Sequence, residues 1–280
     1  MTAVTAPAPT RTRTADDGIR LSFVRVLRSE TIKLLTLRST WWSIIVVVVL
    51  SVGLAAIVAA SMNSFMDPSG RDAADLARSV ASAVLAPIQF TMLLAGALGA
   101  IAVTGEYSTG MIHSTLAAEP RRGVVLAAKA IVVAVLLAVV SLIVFAVSTI
   151  PVAAILHTTP IYAADPAVIV LPILYGSLAM AVFAIIGLSF GFILRSGPGA
   201  IAATVGLLFV LPIVGSIFPA EGAWSWLHDA AQYLPMFAAQ VVTSPPSAEG
   251  MSIAVALLTL AAWVVAGLLG AWAVLRSRDA

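Results

Sequence analysis

The sequence predicts an all-α membrane protein. Six transmembrane helices are expected, with an N-terminal amphipathic interfacial helix, a short cytoplasmic helix between spans two and three, and an extracellular helical hairpin between spans five and six. Three observations carry this. The chain is 61% hydrophobic and only 10% charged, with a mean hydropathy of +1.07, whereas soluble domains carry roughly 25% charged residues. Six apolar runs are each long enough to cross about 30 Å of hydrocarbon. Thirteen of the fifteen Lys and Arg fall on one side of those runs, the positive-inside asymmetry that places both termini in the cytoplasm.

The elements follow in order. Residues 1–18 are rich in Thr, Ala and Pro and have nothing to bury, so a disordered tail is expected. Residues 19–38 read as a helix: Phe23, Leu27, Thr31 and Leu34 share one face, and Arg25, Arg28 and Lys33 the other. A basic amphipathic helix ahead of a span rests in the headgroup layer. Span one, about 40–62, opens on Trp41 and Trp42, which suit the interfacial belt. A polar loop, Asp67 to Arg78, leads to span two at about 82–103, with Pro87 near its outer end.

Spans three and four are expected at about 130–156 and 167–194, joined by a short far-side loop. Arg195 to Gly199 makes a tight near-side turn. Span five covers about 200–218 and span six about 251–275. The connection from Pro219 to Gly250 holds Trp224, Trp226, Tyr233 and Phe237, too many aromatics for a solvated loop, and reads as a helical pair on the outer leaflet. No removable signal peptide is expected, so span one would serve as the insertion signal. The destination is the cell membrane.

Several function classes are disfavoured. No phosphate-binding G-x-x-x-x-G-K-[ST] occurs, and neither lysine, Lys33 or Lys129, follows a Gly-rich loop, so this chain is not expected to hydrolyse ATP. His113, His157 and His228 lack metal-site spacing, and with no cysteine there is no thiolate ligand or disulfide. G-L-S-F-G around Ser189 matches a nucleophile elbow only as a string, because it falls inside a span rather than at a strand-to-helix turn. Its Gly187 and Gly191 read better as a close helix-packing face, and Ala202 with Gly206 offers a second. No span carries a charge near its centre, unlike ion-coupled carriers and channels. The sequence pI near 9.3 marks the cytoplasmic side of a membrane and implies no nucleic-acid partner.

The longest polar interruption, Thr104 to Lys129, lies between spans two and three. Gly105 is expected to break the helix, with Glu106 at the membrane surface. Thr109 would cap a short helix from Gly110 to Ala118, with Ile112 and Leu116 on one face. Pro120 ends it, and Arg121 and Arg122 sit at headgroup level.

The string G-E-Y-S-T-G-M-I-H-S-T-L, then P-R-R and A-A-K before an apolar run, resembles the cytoplasmic loop of type-2 ATP-binding-cassette exporter permeases, above all the small six-span actinobacterial kind. The resemblance spans roughly Ile19 to Arg278. It implies a membrane subunit, most often a homodimer, resting on two copies of a separate ATPase that carries ATP and Mg; this chain would bind no cofactor. The short helix would be the coupling helix, with Glu106, Tyr107, Thr109, Met111, Ile112, His113 and Leu116 at the ATPase contact. Glu106, Arg121 and Arg122 would hold it to spans two and three. The implied activity is export of an amphipathic or hydrophobic substrate; the alternative is a non-transporting antibiotic-immunity or signalling protein that engages a cytoplasmic partner.

Overall fold

A computed structural model describes residues 22–65, 73–157, 166–219, 221–244 and 250–277. The expected disordered tail, 1–18, lies outside them. Regular structure among the described residues is entirely helical, and six helical stretches are long and apolar enough to cross a membrane. The protein is an all-α, six-span membrane protein.

Helix α1 is Phe23–Thr36, started by Ser22, whose Oγ accepts from the Arg25 amide at 3.4 Å. α2, Arg38–Phe65, is the first span. The second begins earlier than expected. α3, Ala73–Leu85, takes up the end of the anticipated Asp67–Arg78 loop, and a turn at Ala86–Pro87 separates it from α4, Ile88–Ser108. Pro87 therefore sits at a break inside the stretch, where its missing N–H costs least. α5 is Met111–Ala118, and α6, Arg122–Ile155, is the third span. It starts eight residues before the expected Ala130, because basic residues can extend a helix past the hydrocarbon edge.

α7, Pro166–Leu194, is the fourth and most buried span, packed on α3, α4, α6, α11 and α12. The near-side turn shrinks to Arg195 and Ser196, because Gly197 already belongs to α8, Gly197–Val205. A π-helical turn, Gly206–Val210, joins α8 to α9, Leu211–Ile217, completing span five. α10, Ser225–Ala231, and α11, Pro235–Thr243, form the hairpin before α12, Ile253–Ser277. α11 buries Ala238, Ala239 and Val242 against α7 and α12, so it is part of the bundle's core. Trp263 Nε1 ties α12 to the hairpin by donating to the Tyr233 carbonyl at 2.9 Å.

α4 and α7 meet almost backbone to backbone. A Cβ on Gly187 would lie 1.8 Å from the Gly96 carbonyl oxygen, and one on Gly99 would lie 1.9 Å from that of Ala184. In hydrocarbon, where apolar side chains gain nothing by leaving lipid, such close approach supplies the association energy. Buried hydroxyls in the spans bond to their own helix: Thr104 donates to the Ala100 carbonyl at 3.0 Å, and Ser189 to that of Ile185 at 2.8 Å. They need no partner from another helix.

Candidate functional site

We call the end of the bundle bearing α1 and α5 the proximal end. Four helices converge there on a buried cluster of charge. α1 presents Glu30 and Lys33, three residues apart and so on one face. α4 contributes Glu106 from its last turn, α6 contributes Lys129 from its second turn, and α5 contributes Thr115. Glu30, Glu106 and Lys129 are each less than 5% exposed.

The Lys33 ammonium donates to Glu30 Oε1 at 2.8 Å, Glu106 Oε1 at 3.0 Å and Thr115 Oγ1 at 3.0 Å, using all three of its hydrogens. Lys129 donates to Glu30 Oε2 at 2.5 Å and Glu106 Oε1 at 2.8 Å. Two carboxylates face two ammonium groups, so the cluster is neutral. That makes burial of Glu30, Glu106 and Lys129 beside the half-buried Lys33 tolerable, since each charge is paired with good geometry. One acceptor is left over: Glu106 Oε2 is buried without a hydrogen-bond partner.

The electrostatics follow the geometry. Burial pushes the Glu30 carboxyl upward, but Lys129 and Lys33 outweigh it and hold the group below the usual carboxylate range. Burial pulls Lys33 downward, but Glu30 and Glu106 outweigh it and raise the ammonium above its usual range. Both charges on α1 are thereby held.

The residues singled out from sequence are only partly brought together. Glu106 lies at the centre of the cluster, but Arg121 and Arg122 do not touch it. Arg121 grips Glu119 through Nε and Nη2 at 2.8 and 2.9 Å. Arg122 donates to the Leu275 carbonyl at the end of α12, offsetting the unpaired carbonyls there. The partners of Glu106 are the two lysines; Arg122, seven residues before Lys129 on the same face of α6, lies two turns nearer the helix end and reaches α12 instead.

Gly105 does not break the helix; α4 continues to Ser108, and the reversal falls at Gly110, with φ of 72°. Thr109 caps the wrong helix for the sequence reading, since its Oγ1 donates back to the Gly105 carbonyl at 2.9 Å. Gly110 starts α5 with no side-chain cap. On α5, Ile112 is buried, Leu116 is half-buried, and Met111 and His113 are exposed. The Tyr107 ring stands edge-on to Phe192 at 6.4 Å, and the Arg195 guanidinium lies 5.3 Å from its centroid.

α1 differs from its sequence reading by one position. Val26 and Glu30 are its buried residues, Leu34 packs on the core, and Phe23 is exposed. Lys33, expected on the solvated face, turns into the cluster. Of the helix-packing pairs, Gly187 and Gly191 lie on the α4 seam. Ala202 is exposed and a Cβ on Gly206 would meet nothing within 4 Å; the side of α8 that does pack is Ala200 and Thr204. Trp41, Trp42, Trp224 and Trp226 are all exposed, and Trp41 Nε1 donates to the Leu35 carbonyl at 2.8 Å, bridging α1 and α2.

Sequence reasoning missed Lys33 and Lys129 as partners of Glu106, and Glu30 and Thr115 as the other groups those lysines bond. The available signal was charge bookkeeping: an acid ends one apolar run at Glu106 and a base opens the next at Lys129. Among the described residues no group of His, Asp and Glu is placed to hold a metal. The arrangement is a web of ion pairs between helices. Its chemistry is that of a joint, which fixes α1 and α5 to α4 and α6. No protein-family model matches the sequence, and no curated protein is significantly similar to it.

Proposed function

We propose that this chain is the permease subunit of an ATP-driven exporter in the cell membrane, moving an amphipathic or hydrophobic substrate outward. The proximal end is cytoplasmic, in keeping with the Lys and Arg bias. A separate ATPase, in two copies binding ATP and Mg, sits beneath two copies of the chain. α5 is its docking element, and α1 braces the same contact. The observation that carries this reading is the junction itself. α5 exposes Met111 and His113 outward while Lys33, bonded to Thr115, locks it to Glu106 and Lys129 at the ends of two spans. A push on α5 would therefore reach α4 and α6 as a rigid movement, which is what force transfer from a soluble motor to a bilayer path requires.

The test is affinity purification of the tagged chain in mild detergent, with mass spectrometry of co-purifying proteins and an ATPase assay of the complex. A stoichiometric ATPase is expected, with the double variant Met111→Asp/His113→Asp lowering its capture at least tenfold while membrane insertion is unchanged. Recovery of the chain with no ATPase would overturn the proposal and favour a non-transporting membrane protein.

A further inference from the structure

Beside the charged junction lies a cavity of about 290 Å³ between α1, α2, α4 and α6. Aliphatic side chains of Leu98, Ala102, Val133 and Leu136 form much of its wall, and Ser43 and Thr40 place hydroxyls there. Leu37, Ile101 and Met111, all 40% exposed or more, mark its open side. Glu106 is on the wall, and its Oε2 is the buried carboxylate oxygen that accepts from no group. Lys129, also on the wall, donates two hydrogen bonds where an ammonium has three hydrogens. Two residues of the wall thus carry one unmet acceptor and one unspent donor, set against an otherwise largely aliphatic pocket.

The charge balance selects the occupant. The junction already pairs two acids with two bases, so an ammonium or phosphate would introduce an uncompensated buried charge. A hydroxyl adds none, and as donor and acceptor at once it can serve both Glu106 Oε2 and Lys129. The aliphatic wall calls for a hydrocarbon body, and the exposed Leu37 and Ile101 let a chain leave toward lipid.

We propose that this cavity is a binding site for a neutral, hydroxyl-bearing lipid, an acylglycerol with a free hydroxyl, whose head group bonds to Glu106. The site does not depend on the transport reading; it stands or falls on the cavity alone. The test uses the full chain in phosphatidylcholine nanodiscs with a monoacylglycerol carrying a photoreactive diazirine on its chain, and cross-linked peptides are mapped by mass spectrometry. Labelling of α2, α4 and α6 peptides around the cavity is expected to saturate. Excess monoolein should reduce it at least fivefold, while the same lipid with its hydroxyls methylated, oleylamine and oleate should each reduce it less than twofold. Ala102→Phe fills the space without touching the charged cluster, and should abolish the saturable labelling with the elution profile unchanged. Should that variant misfold, Leu136→Phe provides the same test from α6. Equal competition by the methylated lipid, labelling untouched by both variants, or no saturable labelling at all would overturn the proposal and leave water as the partner of Glu106 Oε2.

Discussion

Two of the contacts within this bundle work by opposite means. At its closest points the seam between α4 and α7 is backbone on backbone: a Cβ on Gly187 would strike the Gly96 carbonyl, and one on Gly99 that of Ala184. The proximal junction is built of side chains: Glu30, Lys33, Glu106 and Lys129 reach from three helices to meet. Inside hydrocarbon, shape alone can bring helices together, and small residues give the shortest approach. At the membrane edge, charged side chains can be hydrated during assembly and buried at the end, so charge can specify which helices meet. The seam tolerates no added atom; the junction tolerates no lost partner.

The largest expected effect comes from unbalancing the junction. Lys129→Ala strips Glu30 and Glu106 of a shared buried partner and should cost about 3–5 kcal/mol, read as a fall in thermal midpoint and faster amide exchange in α1. Removing charge in pairs, Glu106→Leu with Lys129→Leu, should recover part of that loss; a double variant no better than the single would show that the lysine acts through packing. Next comes the seam. Gly187→Ala places a methyl against backbone that cannot swing aside, and about 1–3 kcal/mol is expected, as for overpacked cores. An unchanged unfolding profile would mean that the two helices separate easily.

Smaller still is Gly110→Ala, where a left-handed residue between α4 and α5 should cost about 1–2 kcal/mol, seen as faster exchange confined to α5. The smallest effect concerns pH. Glu30 has a lowered pKa, so its contribution is present above the ordinary carboxylate range, about pH 4.3, and is lost as the pH falls through the lower folded value. Lys33 has a raised pKa, so its contribution is present below about pH 10.4 and is lost as the pH rises through the higher folded value. Between those limits protection of α1 from exchange should be flat. A step near neutral pH would place an uncharged member in the cluster.

The six spans and the helices α1, α5, α10 and α11 outside them in sequence were legible beforehand, because apolar runs and their aromatic and polar flanks are local. Gly187 and Gly191 were legible for the same reason, since small residues at helical spacing have few other uses in a span. Their partners on α4 were not, because Gly96 and Gly99 stand in a stretch rich in small residues with no pattern to single them out. Arg121 and Arg122, read as holding the short helix to spans two and three, bond Glu119 and the Leu275 carbonyl, and the partners of Glu106 are two lysines that the sequence did not single out. Arg122 and Lys129 are seven residues apart and share a face of α6; two turns of axial offset put Arg122 beside the end of α12 and Lys129 beside Glu106. Thr109 failed similarly: a threonine before a helix suggests a cap, yet its hydroxyl found the nearer carbonyl behind it.

What the sequence determined by itself was the number of spans, their approximate limits and the amphipathic character of α1, since transfer of a twenty-residue window into hydrocarbon depends on that window alone. Only the tertiary structure decided the pairing of charges. Lys129 meets a glutamate 99 residues away and another 23 away, and Lys33 reaches 73 residues to Glu106. Nothing in a local stretch ranks such partners. They are chosen when packed helices bury Glu30, Glu106 and Lys129 and half-bury Lys33, because a buried charge is tolerated only beside its opposite.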